Sequence, residues 1–153
     1  MIKIAFLFLL STSITYSCSS IRNVPYTRTA EVTKVKATDR TITVHARTQA
    51  GTLGQAINYS ERLAMENLLF RGIPQSTQEL PMISDEYEAT SKYKTYFDWL
   101  LSDQGYRRFY IESSVYQNNH SEGIVFLTQQ ITIDIEALRK DLEQHNVIRN
   151  FGL

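Results

Sequence analysis

The spacing of apolar side chains changes period several times along the chain, and each change marks an element. Residues 40–47 alternate, with Ile42, Val44 and Ala46 set between Thr41, Thr43, His45 and Arg47. That period of two predicts a half-buried strand. Residues 32–37 are read as its hairpin partner through Thr38-Asp39, and Gly51-Thr52 ends the extended run. From Leu53 to Phe70 the period lengthens to that of a helix, with Thr52 as N-cap. Ala56, Ser60, Ala64 and Leu68 recur at every fourth place. Small side chains on that line let a helix lie close against a sheet, flanked by Leu53 and Ile57. Gly72 and Pro74 then stop it, since glycine accepts a left-handed cap and proline cannot continue a helix.

Residues 75–85 read as a loop pinned to the core through Leu80, Met82 and Ile83. A second helix is expected over 85–101, where Tyr93, Tyr96, Phe97 and Leu100 share one face. Asp103-Gln104-Gly105 closes it. Two strands, 106–117 and 123–135, flank a turn-rich stretch at 118–123 and predict an antiparallel hairpin. Within the second strand Ile131, Ile133 and Ile135 face one way, and Thr132 and Asp134 the other. A last helix over 136–145 turns Leu138 and Leu142 inward, with Glu136–Lys140 and Arg139–Glu143 as surface pairs. The order β-α-α-β-β-α predicts an α+β fold: a mainly antiparallel three- to four-stranded sheet with helices packed on one face.

The first thirty residues follow a different logic. Lys3 precedes the apolar run 4–10, and a stretch of small polar residues ends in Ser17-Cys18. This is the order of a secretory signal. The apolar run is far shorter than the roughly 20 residues a membrane span needs. Cys18 is the only cysteine, so no internal disulfide can form. It stands where a lipoprotein signal peptidase requires a thiol, although Tyr16 and Thr15 depart from the usual lipobox. The expected organisation is a lipoprotein signal peptide at 1–17, a lipidated N-terminus and tether at 18–29, and a single periplasmic α+β domain at 30–153. Diacylglycerol and an N-acyl chain on Cys18 are the only groups expected on the protein, with no other cofactor. Several acyl chains hold a membrane firmly where one does not. Ser19, in place of an acidic residue, points by analogy with sorting rules to the outer membrane and its periplasmic face.

Charge narrows the remaining possibilities. Acidic and basic residues balance at 16 each, without a basic patch or charged run, which argues against nucleic acid as a partner. His45, His120 and His145 fall in separate elements and suggest no metal site. Gly51-Thr52-Leu53-Gly54 lacks the lysine and further glycines of a phosphate loop, so helix capping explains it better. Asp85, Glu86 and Glu88 are read as ordinary helix N-terminal charge. The sequence therefore predicts no enzyme. Two features remain as contact candidates. Trp99 lies off the aromatic line of its helix. The tail places Ile148, Phe151 and Leu153 beyond the last helix, either packed back on the domain or available to an assembly.

Leu68-Leu69-Phe70-Arg71-Gly72-Ile73-Pro74, and residues 137–144 continuing through Val147-Ile148-Arg149 to Phe151-Gly152, resemble TssQ, the lipoprotein subunit of the subtype-iii type VI secretion system. The strand followed by a helix with alanines at every fourth position looks more broadly like the LPP20 and flagellar FlgT N-terminal lipoproteins. These motifs cover about a fifth of the chain and contain no catalytic signature. The resemblance implies an outer-membrane-anchored, non-enzymatic subunit of a trans-envelope complex. Its partners would be the membrane, other secretion-complex proteins and further copies of itself. The other expectation from the tyrosine-rich second helix is a periplasmic module that binds peptidoglycan or a small ligand.

Overall fold

The computed structural model describes residues 22–149. Four strands, β1 (Val32–Ala37), β2 (Thr41–Ala50), β3 (Tyr110–Ser121) and β4 (Ile124–Asp134), form one antiparallel sheet in the order β1-β2-β4-β3. Five helices, α1 (Leu53–Phe70), α2 (Glu86–Lys92), α3 (Lys94–Leu100), α4 (Asp103–Tyr106) and α5 (Ile135–Gln144), pack on one of its faces. The fold is the α+β arrangement expected, with both hairpins present.

Alternation explains the layering. On β2 the buried residues are Ile42, Val44, Ala46, Thr48 and Ala50; the intervening ones face away from the helices. On β4 Ile131 and Ile133 are buried beside them, and Val44 pairs with Ile131 while Ile42 pairs with Ile133. α1 lies across these two strands on the small-residue line, with Ala56, Ser60, Ala64 and Leu68 all fully buried. Thr52 caps it, its hydroxyl accepting from the Gln55 amide at 3.3 Å. Leu138 and Leu142 on α5 complete the core.

The chain after α1 is fixed by that helix's unpaired carbonyls. The Met82 and Ile83 amides donate to Leu68 and Leu69, which pins the loop at 82–83. Leu80 is not pinned: its carbonyl accepts from Gln78 at 2.6 Å and its side chain is 76% exposed.

Four further expectations are corrected. The helix expected over 85–101 is two helices, broken at Tyr93 (φ −112, ψ 39), whose hydroxyl donates to the Asn146 carbonyl at 2.6 Å. Residues 106–109 are not strand: Ser102 caps a further helical turn, and Tyr106 is buried within it. The hairpin turn is not 118–123 but Glu122-Gly123 alone. Both residues have positive φ (51 and 76), the backbone of the mirror-image turn that matches strand twist. Glu136 pairs with Arg40 at 2.5 Å and Arg139 reaches Gln78 at 2.9 Å, in place of the expected partners within α5.

Candidate functional site

Two buried glutamates on α1 organise what surrounds the helix. Glu66 is 3% exposed and accepts from three donors: Tyr26 Oη at 2.9 Å, Arg28 Nε at 2.7 Å and Arg62 Nε at 2.8 Å. Arg28 also reaches Glu86 on α2 at 2.5 Å, and Arg71 donates to the Arg28 carbonyl. The described part of the segment read as a tether is therefore seated on the domain. Burial, then the Glu66 charge, pushes the Tyr26 hydroxyl well above the ordinary tyrosine range.

Glu61, 4% exposed, performs the same task one turn earlier. It accepts from Arg107 Nε at 2.7 Å and Ser113 Oγ at 2.9 Å, and its backbone carbonyl accepts from Tyr110 Oη at 2.5 Å. Its hydrogen bond to Arg107 raises that guanidinium's pKa. Burial, followed by Glu61, pushes Tyr106 up to about 12, and the same causes raise Tyr110 well above the ordinary tyrosine range. These contacts fix the start of β3 against α1. Every carboxylate oxygen of both residues is thus engaged in structure, and a buried charge that is fully paired is the arrangement folding tolerates.

Beyond this polar layer the sheet is open. The face away from the helices presents Thr43 against Thr132, with hydroxyls 3.0 Å apart, and His45 against Gln130 at 3.2 Å. The Tyr116 ring lies 4.2 Å from that of His45. The two edges of the sheet differ. β1 is six residues long, carries Lys34 and Lys36, and has a register irregularity between them. β3 is twelve residues long and exposed along nearly its whole length. It contains one formal charge, Glu112, and neither lysine nor proline. Its Ile111, Val115 and Tyr116 are 59%, 47% and 64% exposed. Lysines and short length are common guards against strand addition, and β3 lacks both. Its two register shifts, near Ile111 and Tyr116, leave residues 117–121 in regular pairing with β4.

A cavity of about 300 Å³ lies where the N-terminal segment passes the end of β2, walled by Tyr26, Tyr59, Phe126 and Thr48, with Arg47 and Glu31 at its rim. A second, wider groove runs between α2 and the residues after α5, lined in part by Tyr93, Val147 and Ile148.

The contact candidates from sequence are distributed as follows. Trp99 is half-buried against the core, with the Arg108 guanidinium 5.4 Å from its ring. Ile148 and Val147 pack against the same core. Cys18, Phe151 and Leu153 lie outside the described residues. The aromatic face of the second helical region is core: Phe97 and Leu100 are buried and Tyr93 and Tyr96 pack against them. Among the described residues no group of three His, Cys, Asp or Glu could hold a metal ion, and no helix is long and apolar enough to cross a membrane. The exposed β3 edge was missed in the sequence because Asn118 and Asn119 read as turn. The absence of lysine from residues 110–121 was the available signal.

Comparison with family models, with curated proteins and with solved structures finds no match to this chain.

Proposed function

We propose that the protein is a non-enzymatic, outer-membrane-anchored lipoprotein that serves as a structural or adaptor subunit of a trans-envelope complex, of the type VI secretion kind that its motifs resemble. Cys18 carries the lipid, and the folded domain carries the docking surface. The observation that supports this reading is the contrast between the two sheet edges. β1 is short and guarded by Lys34 and Lys36, whereas β3 is twelve residues long and eleven of them are exposed to an incoming strand. Main-chain hydrogen bonds along such an edge give affinity, and alternate side chains give specificity.

Affinity purification of a C-terminally tagged form from crosslinked, detergent-solubilised envelopes tests it. Secretion-complex membrane proteins should be recovered with the wild type and reduced in Cys18→Ala. They should also be reduced in Val115→Lys/Tyr116→Lys, whose melting temperature should stay close to wild type because both side chains are exposed. Recovery of the protein alone, or with cell-wall fragments, would refute the adaptor reading. That result would favour the alternative, a module for peptidoglycan or a small ligand, which the cavity beside Tyr26, Tyr59 and Phe126 supports.

A further inference from the structure

The domain has two ends that differ sharply in charge. At one end the β3–β4 turn, the C-terminus of β2 and the N-terminus of α1 come together, because Ser121 pairs with Ile124, Ala50 pairs with Val125, and Leu53 follows β2 by three residues. Residues 48–60 contain no Asp, Glu, Lys or Arg, and residues 113–130 contain Glu122 alone, in a chain that is 21% charged overall. Glu122 is itself paired with Arg22 at 3.7 Å. Besides that solvent-exposed pair and His120, the exposed side chains here are amides, hydroxyls and two large apolar groups, Leu53 at 38% and Phe126 at 42%. At the other end lie Asp39 and Arg40, with Asp134 and Glu136 beside them, joined through the Ile135 amide to the Arg40 carbonyl.

The N-terminal chain enters at the charge-poor end. Arg22 lies beside Glu122, and from there the chain runs past Phe126 and Tyr59 to its seat on Glu66. Cys18 is four residues before Arg22, so covalent geometry keeps it within about 14 Å of that point. Charged side chains lose hydration as they near a bilayer, and a surface with few of them, paired with one another, approaches at less cost. Exposed Leu and Phe gain on entering the interface.

We propose, on the reading that Cys18 is lipidated, that this charge-poor end rests on the lipid surface and the charged end points away from it. The bilayer is thus a partner of the folded domain itself, through residues near Leu53, Ser121 and Phe126, and not only of the acyl chains. β3 then rises from the membrane along its length, about 40 Å at about 3.4 Å per residue.

The test uses the full lipidated chain in vesicles of phosphatidylethanolamine and phosphatidylglycerol that carry a headgroup spin label. A fluorophore is placed on Ser121→Cys or on Asp39→Cys, at opposite ends of the sheet. The expected result is strong quenching at 121 and little at 39, with Leu53→Glu/Phe126→Glu weakening the former while the protein still floats with the vesicles. Equal quenching at both sites, or the reverse order, in a chain that floats would overturn the orientation and leave the anchor standing. A chain that expresses in the envelope yet neither carries lipid nor floats would overturn the anchor, and the orientation with it.

Discussion

Replacing Glu66 by Gln preserves the size of the side chain that seats the N-terminal segment and removes its charge. The Glu66 side chain is 4% exposed, whereas Arg28 and Arg62 are 41% and 45% exposed. A hydrogen bond to a charged group contributes about 1.5–3 kcal/mol when both partners are dry. Here both guanidiniums reach water, and exposed ion pairs contribute about 0–1 kcal/mol. An intermediate value of about 1 kcal/mol for each Arg–Glu66 contact follows, so Glu66→Gln should cost about 2 kcal/mol. Arg28→Ala loses Glu86 as well as Glu66 and should cost about 1–2 kcal/mol. The double variant should fall short of the sum by about 1 kcal/mol, the Arg28–Glu66 coupling. Urea unfolding of the lipid-free Cys18→Ala form measures all four corners, since urea leaves charge unscreened. Trypsin cleavage after Arg28 gives an independent reading and should accelerate in Glu66→Gln. Costs that add within about 0.3–0.5 kcal/mol, with unchanged cleavage, would show that Glu66 does not hold residues 22–31 and would refute the account of the seat.

Gly72 has φ +77, and a Cβ there would lie 2.0 Å from the Glu79 carbonyl oxygen. Gly72→Ala should therefore cost about 3 kcal/mol, from about 1–2 for the left-handed backbone and about 1–3 for overpacking. Gly54→Ala, with nothing within 4 Å, should stabilise by about 0.5–1 kcal/mol; a similar loss at both sites in denaturant melts would contradict this. Burial, reinforced by Glu66, Asp141 and Glu61, raises the hydroxyl pKa values of Tyr26, Tyr96, Tyr106 and Tyr110. Because the folded values lie above the unfolded value of about 10, their stabilisation is complete below pH 10 and is lost as pH rises toward 12. Melting temperature should hold to about pH 9.5 and fall above it, less steeply in Tyr96→Phe, and a flat profile to pH 11 would contradict the assignment.

Elements whose period is set by one buried face were legible in the sequence. α1 could be bounded from Thr52 and Gly72, and the inward isoleucines of β4 and leucines of α5 from spacing alone. What escaped was set by contacts between distant residues. The break at Tyr93 contains neither glycine nor proline; it falls where a hydroxyl reaches Asn146, 53 residues later. Residues 106–109 run into β3 without a glycine or proline to separate them from it, yet Ser102 and Gly105 turn the chain sharply. A Cβ on Gly105 would lie 2.1 Å from the Trp99 carbonyl oxygen. The roles of Glu61 and Glu66 were invisible because a charged residue inside a helical period reads as surface, and only the fold brings Arg107, Ser113, Tyr26 and Arg28 to meet them. Of the candidate site, lipidation of Cys18 could be proposed from sequence, whereas the open β3 edge required the sheet order.

The direction of β3 also restricts which strand can join it. With the hairpin tip toward the bilayer, β3 stands along the membrane normal. A two-fold axis that pairs β3 antiparallel with a second copy must lie across the strand, in the plane of the membrane. It would carry the second copy's Cys18 to the opposite end of the extended sheet, away from the leaflet that holds the first. Copies rooted in one leaflet are related by axes along the normal, which align their β3 strands in the same direction. A second copy that adds an antiparallel strand to this edge would therefore have to be rooted elsewhere, across the periplasm or unanchored. For copies of this chain the edge would thus discriminate by the side from which the second copy arrives, disfavouring antiparallel lateral pairing within one leaflet.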